Sequence, residues 1–193
     1  MTRPLGVILA GGLARRMGGG DKGLLQLGGA TILDRVIDRL RPQVGGLALN
    51  ANGDPSRFAE LGLPVIQDSI EGYAGPLAGV LAGLDWAAGQ GAMHIVTAAW
   101  DTPIFPTDLV TRLEAEPGPI TLARTPEGRH PTFGLWPVAL RDDLRAELLA
   151  GTRKVLAWSD KHGTSYADFD GDPDPFFNVN TPEDLAAAEE LLA

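Results

Sequence analysis

Residues 5–23 read Leu5-Gly6-Val7-Ile8-Leu9-Ala10-Gly11-Gly12-Leu13-Ala14-Arg15-Arg16-Met17-Gly18-Gly19-Gly20-Asp21-Lys22-Gly23. The apolar run at the start reads as a buried strand, and a glycine-rich stretch leaves it directly. A loop so poor in side chains can turn its backbone N–H groups onto a phosphate. Arg15, Arg16 and Lys22 place three cations in the same loop, so a polyphosphate would meet fixed dipoles and mobile charges together. Strand, glycines and cations coincide in an otherwise acidic chain, which favours phosphate binding over a basic surface turn. The spacing departs from the two commonest phosphate motifs. Lys22 is followed by Gly23 and Leu24, so the metal-binding hydroxyl of a P-loop is missing. The glycines come as Gly11-Gly12 and Gly18-Gly19-Gly20, unlike the Gly-x-Gly-x-x-Gly that opens a dinucleotide-binding helix. A longer loop that wraps a nucleotide fits this spacing.

Outward from that loop, strand and helix patterns alternate. Residues 4–10, 46–50, 64–67 and 93–98 are short apolar runs that predict strands. Ile32, Leu33, Val36, Ile37 and Leu40 form a helical stripe over 31–40, with Thr31 as its cap and Asp34 three residues on. Helices are also predicted at 56–61, 76–88 and 106–114. The rhythm then changes: 120–124 and 132–136 read as strands around a polar turn through Glu127 and Gly128. Helices at 140–149 and 153–158, a strand at 165–169 and a helix at 182–192 complete the series. Thr181 caps the last helix and Pro182 occupies its first turn.

This alternation predicts a Rossmann-like, three-layer α/β/α fold with a mostly parallel sheet. Ligands in such sheets bind beyond the carboxyl ends of the strands, so residues 11–22, 50–53, 68–75 and 100–103 are predicted to share one crevice. The 193 residues suit a single domain, 1–193, with no internal repeat or linker. The net charge of −9, from 16 basic and 25 acidic residues, argues against nucleic acid or an anionic membrane as partner. Cysteine is absent, which removes disulfides, thiolate metal sites and cysteine nucleophiles and fits a cytoplasmic protein. No apolar stretch approaches the roughly 20 residues that span a bilayer. The opening apolar run is short, holds Gly6 and is followed by Arg15 and Arg16, so it reads as a strand and not as a signal peptide.

Asp101 follows the fourth predicted strand and precedes Thr102-Pro103. By pattern alone it fits a magnesium ligand in the crevice and a turn aspartate before a proline equally well. Lys22 is suited to transition-state stabilisation, its ammonium following charge on the α and β phosphates of a nucleotide. Arg153 and Lys154 are a second basic pair, readable either as a phosphate contact or as a solvated helix face. His130 reads as a structural histidine without a proton-transfer role, with contact to a substrate as the alternative.

The pattern Leu-Ala-Gly-Gly-x-x-x-Arg-Met-Gly-Gly-x-Asp-Lys resembles the signature loop of the molybdenum cofactor guanylyltransferases, the MobA family. Residues 65–69 (Val-Ile-Gln-Asp-Ser), 75–79 (Gly-Pro-Leu-Ala-Gly), 101–103 (Asp-Thr-Pro), 130–132 (His-Pro-Thr) and 178–184 (Asn-Val-Asn-Thr-Pro-Glu-Asp) are similar to later blocks of that family, in its order. The resemblance runs from about Pro4 to the C-terminus. It implies transfer of GMP from GTP to molybdopterin phosphate with release of pyrophosphate, and a requirement for Mg2+. It assigns nucleotide contacts to Leu9, Ala10, Gly11, Gly12, Arg15, Lys22, Asn50, Asp68 and Asp101, catalysis to Lys22, Asp101 and Arg16, and metal binding to Asp101 and Asn180. Asn180 alternatively forms turn hydrogen bonds with Asn178 ahead of the last helix. Asn50 and Asp68 are both placed to read the base, since a carboxylate can accept from guanine N1–H and N2–H2. Gly11-Gly12 favours GTP, because sister enzymes using CTP tend to carry Leu-Ala-Ala-Gly. The resemblance also implies as partners other molybdenum cofactor biosynthesis proteins, apo-molybdoenzymes and their chaperones.

One departure is Trp100, where the family usually carries a small residue before the aspartate. Rival readings are a nucleotidyltransferase acting on CTP or on a sugar phosphate, and a non-catalytic nucleotide-binding protein that delivers cofactor.

Overall fold

The computed structural model describes residues 3–11, 21–72, 75–171 and 173–192. Strand β1 (Leu5–Leu9) lies within a seven-stranded sheet. A small hairpin of β2 (Gln26–Leu27) and β3 (Ala30–Thr31) follows, which the sequence pattern does not reveal because each strand has only two residues. Helix α1 (Ile32–Leu40) starts where expected: Asp34 N donates to Thr31 Oγ1 at 3.0 Å, and Asp34 Oδ2 accepts from Thr31 N at 3.0 Å. Then come β4 (Leu47–Asn50), a 3-10 helix at Pro55–Leu61, β5 (Val65–Ile66), α2 (Pro76–Gly89) and β6 (His94–Ala99). The second half holds α3 (Leu109–Glu114), β7 (Thr121–Thr125), β8 (Gly128–Pro137), α4 (Arg141–Leu149), α5 (Val155–Ser159), β9 (Ser165–Asp168) and α6 (Pro182–Leu192).

The strand order is β5-β4-β1-β6-β8-β7-β9. All neighbours run parallel except β8, which is antiparallel to both β6 and β7. The sheet is therefore mostly parallel, as its alternating sequence implies. Strand β8 is longer than the run at 132–136, because a two-residue connection lets pairing with β7 begin at Thr125 and Gly128 and continue past a bulge at Leu122/Ala123. Helix α3 begins three residues later than the pattern at 106–114, with Asp108 at its N-cap.

Side chains alternate across β1 and divide the core. Ile8 joins Leu33, Val36, Leu40, Leu109 and Leu113 on the face covered by α1 and α3. Val7 and Leu9 join Leu77, Val80, Leu84, Leu144 and Trp158 on the face covered by α2, α4 and α5. These are the three layers. A smaller apolar cluster of Leu27, Ile32, Val179 and Ala188 seats α6 near the β2–β3 hairpin.

Register sets the position of everything at the carboxyl edge. Leu9 aligns with Asn50 on one side and Ala99 on the other, and Asn50 aligns with Ile66. Two residues beyond that row stand Gly11, Asn52, Asp101 and Asp68. The chain goes from β1 outward to β4 and β5, then returns to place β6 on the opposite side of β1. Such a reversal leaves a crevice between the departing loops.

Candidate active site

The crevice is a cleft of about 560 Å3, within the size range of small-molecule sites. Its walls are the four strand ends and the residues that follow them: Leu9, Ala10 and Gly11 at β1, Asn50 to Asn52 at β4, Asp68 beyond β5, and Ala99 to Asp101 at β6. Gly75 and Pro76, at the start of α2, and Thr132 and Asn178 complete the lining. Helix α2 has no side-chain cap; Pro76 at its first position has no N–H to satisfy, and Ala78 N donates to Gly75 O at 3.2 Å. The helix's close approach depends on Gly79, where a Cβ would overlap Asn50 Oδ1 and lie 2.8 Å from Leu9 Cδ2.

At one end, Asp68 is held by neutral amides. Asn50 Nδ2 donates to Asp68 Oδ1 at 3.0 Å and to Ile66 O at 3.2 Å. Asn52 Nδ2 donates to Asp68 Oδ2 at 2.7 Å, while Asn52 Oδ1 accepts from Asp68 N at 2.9 Å. Both carboxylate oxygens are thus oriented, and each keeps a further lone pair. Asn52 was not among the residues singled out in the sequence. The signal was there in Asn50-Ala51-Asn52: along extended backbone, residues two apart lie on the same side.

At the other end the partners are charged. Lys22, 8% exposed, donates from Nζ to Asp101 Oδ2 at 2.7 Å and to Asn180 Oδ1 at 2.5 Å. These three residues come from positions 22, 101 and 180 and meet through the fold alone. The backbone at 178–180 is fastened to the same place, since Val179 N donates to Asp101 O at 2.8 Å and Thr102 Oγ1 donates to Asn178 Oδ1 at 2.5 Å. Among the described residues, neither asparagine side chain makes a turn hydrogen bond: Asn178 accepts from Thr102 and Asn180 from Lys22. Asp184 does that work, accepting from Asn180 N at 2.8 Å and Thr181 N at 2.9 Å, while its own N–H donates to Thr181 Oγ1.

Trp100 fits beside Asp101 because Gly23 leaves room. A Cβ at position 23 would stand 2.6 Å from Trp100 Cε3. The indole is 4% exposed and packs into the core, while Asp101 keeps its contacts to Lys22. Outside this centre, Arg57 Nη1 donates to Asp21 Oδ1 at 2.5 Å and its Nη2 to Asn52 O at 2.7 Å, tying the residue before Lys22 to the loop after β4.

Of the residues predicted to bind nucleotide, Leu9, Ala10, Gly11, Asn50, Asp68 and Asp101 line one cleft, and Lys22 is bonded to Asp101 at its edge. Gly12, Arg15 and Arg16 lie outside the described residues. Arg153 donates to Leu148 O and Thr152 O, and neither it nor Lys154 lines the cleft. His130 stacks on Phe176 at 4.6 Å and pairs through Nε2 with Thr125 Oγ1 at 2.9 Å. Burial holds its pKa below the usual 6.5, favouring the neutral ring.

The cleft lies at the sheet's switch point, with a pinned carboxylate at one end and an ammonium–carboxylate–amide cluster at the other, in a domain that matches the nucleotidyltransferases. Residues 6–164 match the family model of the MobA-like NTP transferase domain. A curated relative from Mesorhizobium japonicum, named molybdenum cofactor guanylyltransferase, is 51% identical over 97% of this chain and 95% of its own. A crystal structure of molybdopterin-guanine dinucleotide biosynthesis protein A from Archaeoglobus fulgidus superposes with a TM-score of 0.76 at 25% identity, covering 97% of this chain and 98% of that one. The fold is shared as well by Rv0371C from Mycobacterium tuberculosis, solved in complex with manganese, with a TM-score of 0.68, 21% identity, and coverage of 98% of this chain and 99% of that one. The chain belongs to the MobA-like NTP transferase family and, within it, to the molybdenum cofactor guanylyltransferases.

Proposed function

We propose that this chain, as one domain, joins GMP from GTP to the terminal phosphate of molybdopterin and releases pyrophosphate. The observation that carries the reading is the joint placement of the Asp68 clamp and the Lys22–Asp101–Asn180 cluster at opposite ends of one cleft. In this reading Asp68 reads the base, its free lone pairs accepting from guanine N1–H and N2–H2, and Asn50 serves as its support. Cytosine offers no such pair of donors on adjacent atoms, which favours GTP over CTP.

The donor set suits a divalent ion. Asp101 and Asn180 offer a carboxylate and an amide oxygen that already converge on one cation, the Lys22 ammonium. Hard oxygen donors of this kind, few in number, suit Mg2+ that shares its remaining positions between phosphate oxygens and water. Among the described residues no group of three or more His, Asp and Glu forms a closed metal cage. The manganese complex of the structural relative supports a divalent metal in this fold. When bound, Mg2+ supplies neutralisation of charge on the departing pyrophosphate.

The rest is positioning by the chain itself. Lys22, with Arg15 and Arg16 of the glycine-rich loop, holds the triphosphate, and Arg16 and Lys22 follow the charge that develops on it. Thr132 and Asn178 also line the cleft and are offered to the acceptor. An acceptor phosphate oxygen forms a bond to the α phosphorus as the bond to the bridging β-phosphate oxygen breaks. The acceptor is already ionised at neutral pH, so no general base is needed, and His130 is left a structural role. We place the protein in the cytoplasm with other cofactor-biosynthesis proteins and apo-molybdoenzymes or their chaperones as partners. No helix among the described residues is long and apolar enough to cross a membrane.

The test is pyrophosphate release with GTP or CTP against molybdopterin or sugar phosphates. Release with GTP and molybdopterin alone is the expected result. Asp101→Ala should lower kcat/KM by about 10^3-fold, roughly 4 kcal/mol in barrier. Near-normal turnover of that variant at saturating substrates would overturn the assignment. Trp100 gives no ground for an inactive delivery protein, because Gly23 accommodates it and Asp101 remains in place.

A further inference from the structure

The Lys22 ammonium stands between the two side chains read above as metal ligands, 2.7 Å from Asp101 Oδ2 and 2.5 Å from Asn180 Oδ1. A divalent ion bound to those same oxygens would sit in contact with it, and like charges at that separation repel, with the Lys22 ammonium itself buried. We infer that Lys22 and the metal exchange places: the ammonium holds Asp101 and Asn180 together in the free protein, and the metal takes both oxygens only when a polyphosphate draws Lys22 away.

The neighbouring carboxylates show why the trigger must come from outside. Asp21, next to Lys22 in the chain, is taken by Arg57 at 2.5 Å. Asp68 has both oxygens engaged by Asn50 and Asn52. Of these three carboxylates only Asp101 is paired with the ammonium; Asp21 already carries the Arg57 guanidinium and Asp68 belongs to the other end of the cleft, so neither takes over a displaced Lys22. A triphosphate supplies the missing anion and brings further oxygens for the metal. The lysine thus holds the two ligand side chains in place of the metal in the free state and contacts phosphate in the bound state. Its exchange prevents a metal ion from occupying the centre ahead of the nucleotide.

This inference rests on the reading of Asp101 and Asn180 as metal ligands, and the experiment separates the two. Mn2+ is titrated into the nucleotide-free protein and followed by electron paramagnetic resonance of the free ion. Lys22→Met should bind Mn2+ at least tenfold more tightly than wild type, and Lys22→Arg should stay as weak as wild type. Adding a non-hydrolysable α,β-methylene analogue of GTP should strengthen Mn2+ binding more in wild type than in Lys22→Met. Lys22→Gln, checked like the others for a cooperative melt, is the second variant should Lys22→Met fail to fold. Equal Mn2+ affinity in wild type and the neutral variants, including no binding in any of them, overturns the exchange. If the tighter binding of Lys22→Met survives the added change Asp101→Asn, the metal lies elsewhere and the ligand reading itself fails.

Discussion

The two ends of the cleft are built from opposite materials. Asp68 is pinned by amides that carry no net charge, supplied by the last residue of β4 and the loop that follows it. Lys22, Asp101 and Asn180 are joined by an ion pair and a charge-assisted hydrogen bond across sequence separations of 79 and 158 residues. Neutral donors fix a carboxylate while leaving lone pairs for a ligand, so that end can receive a base without rearranging. An ion pair satisfies both charges internally, so the other end must open before it can serve a phosphate. On the proposed reading, recognition is preformed and the catalytic arrangement is completed by the substrate.

That contrast can be broken in order of effect. The largest loss belongs to Asp101→Ala, the roughly 10^3-fold drop given above, appearing mainly in kcat because the carboxylate serves the transition state. Asn52→Ala should act at the other end and differently: KM for GTP rises about tenfold, kcat changes little, and the preference for GTP over ITP shrinks. One lost hydrogen bond to a charged group is worth about 1.5–3 kcal/mol, which sets that scale. An equal fall in kcat would mean that Asn52 reaches the chemistry and the two ends are not independent.

Gly23→Ala probes the joint between Trp100 and Lys22. The added methyl meets a buried ring that cannot swing aside, so unfolding should become easier by about 1–3 kcal/mol, read as a lower Tm. An unchanged Tm would show that the ring has room to shift. The smallest effect concerns His130. Its folded pKa lies below the usual 6.5, so its contribution to stability is present above about pH 6.5 and is lost as pH falls through the folded value. The ring is only half-buried and water screens it, so the loss should stay under about 1 kcal/mol. His130→Gln should flatten that decline in denaturant titrations between pH 7 and 5, and an unaltered slope would assign the effect to other groups.

Much of the fold was legible because it follows from local pattern. The stripe of 31–40 with its Thr31–Asp34 box gave α1, and the apolar runs gave the parallel strands whose carboxyl ends make the cleft. The β2–β3 hairpin escaped because two-residue strands carry no periodicity. Asn52 escaped because its function lies in a hydrogen bond to a residue 16 positions away.

The sequence by itself determined the chemistry available: a glycine-rich loop with its cations after the first strand, carboxylates and asparagines at strand ends, and glycine at positions such as 23 and 79. Those are properties of residue type and short-range order, which the chain carries before it folds. Only tertiary structure decided which charges face each other. Register brought Asp68, Asn52 and Asp101 to one edge, and the return of residues 178–180 to the Asp101 backbone placed Asn180 against Lys22. Pairing of that kind depends on distances of a few ångströms between residues far apart in the chain, and those distances exist only once the sheet has formed.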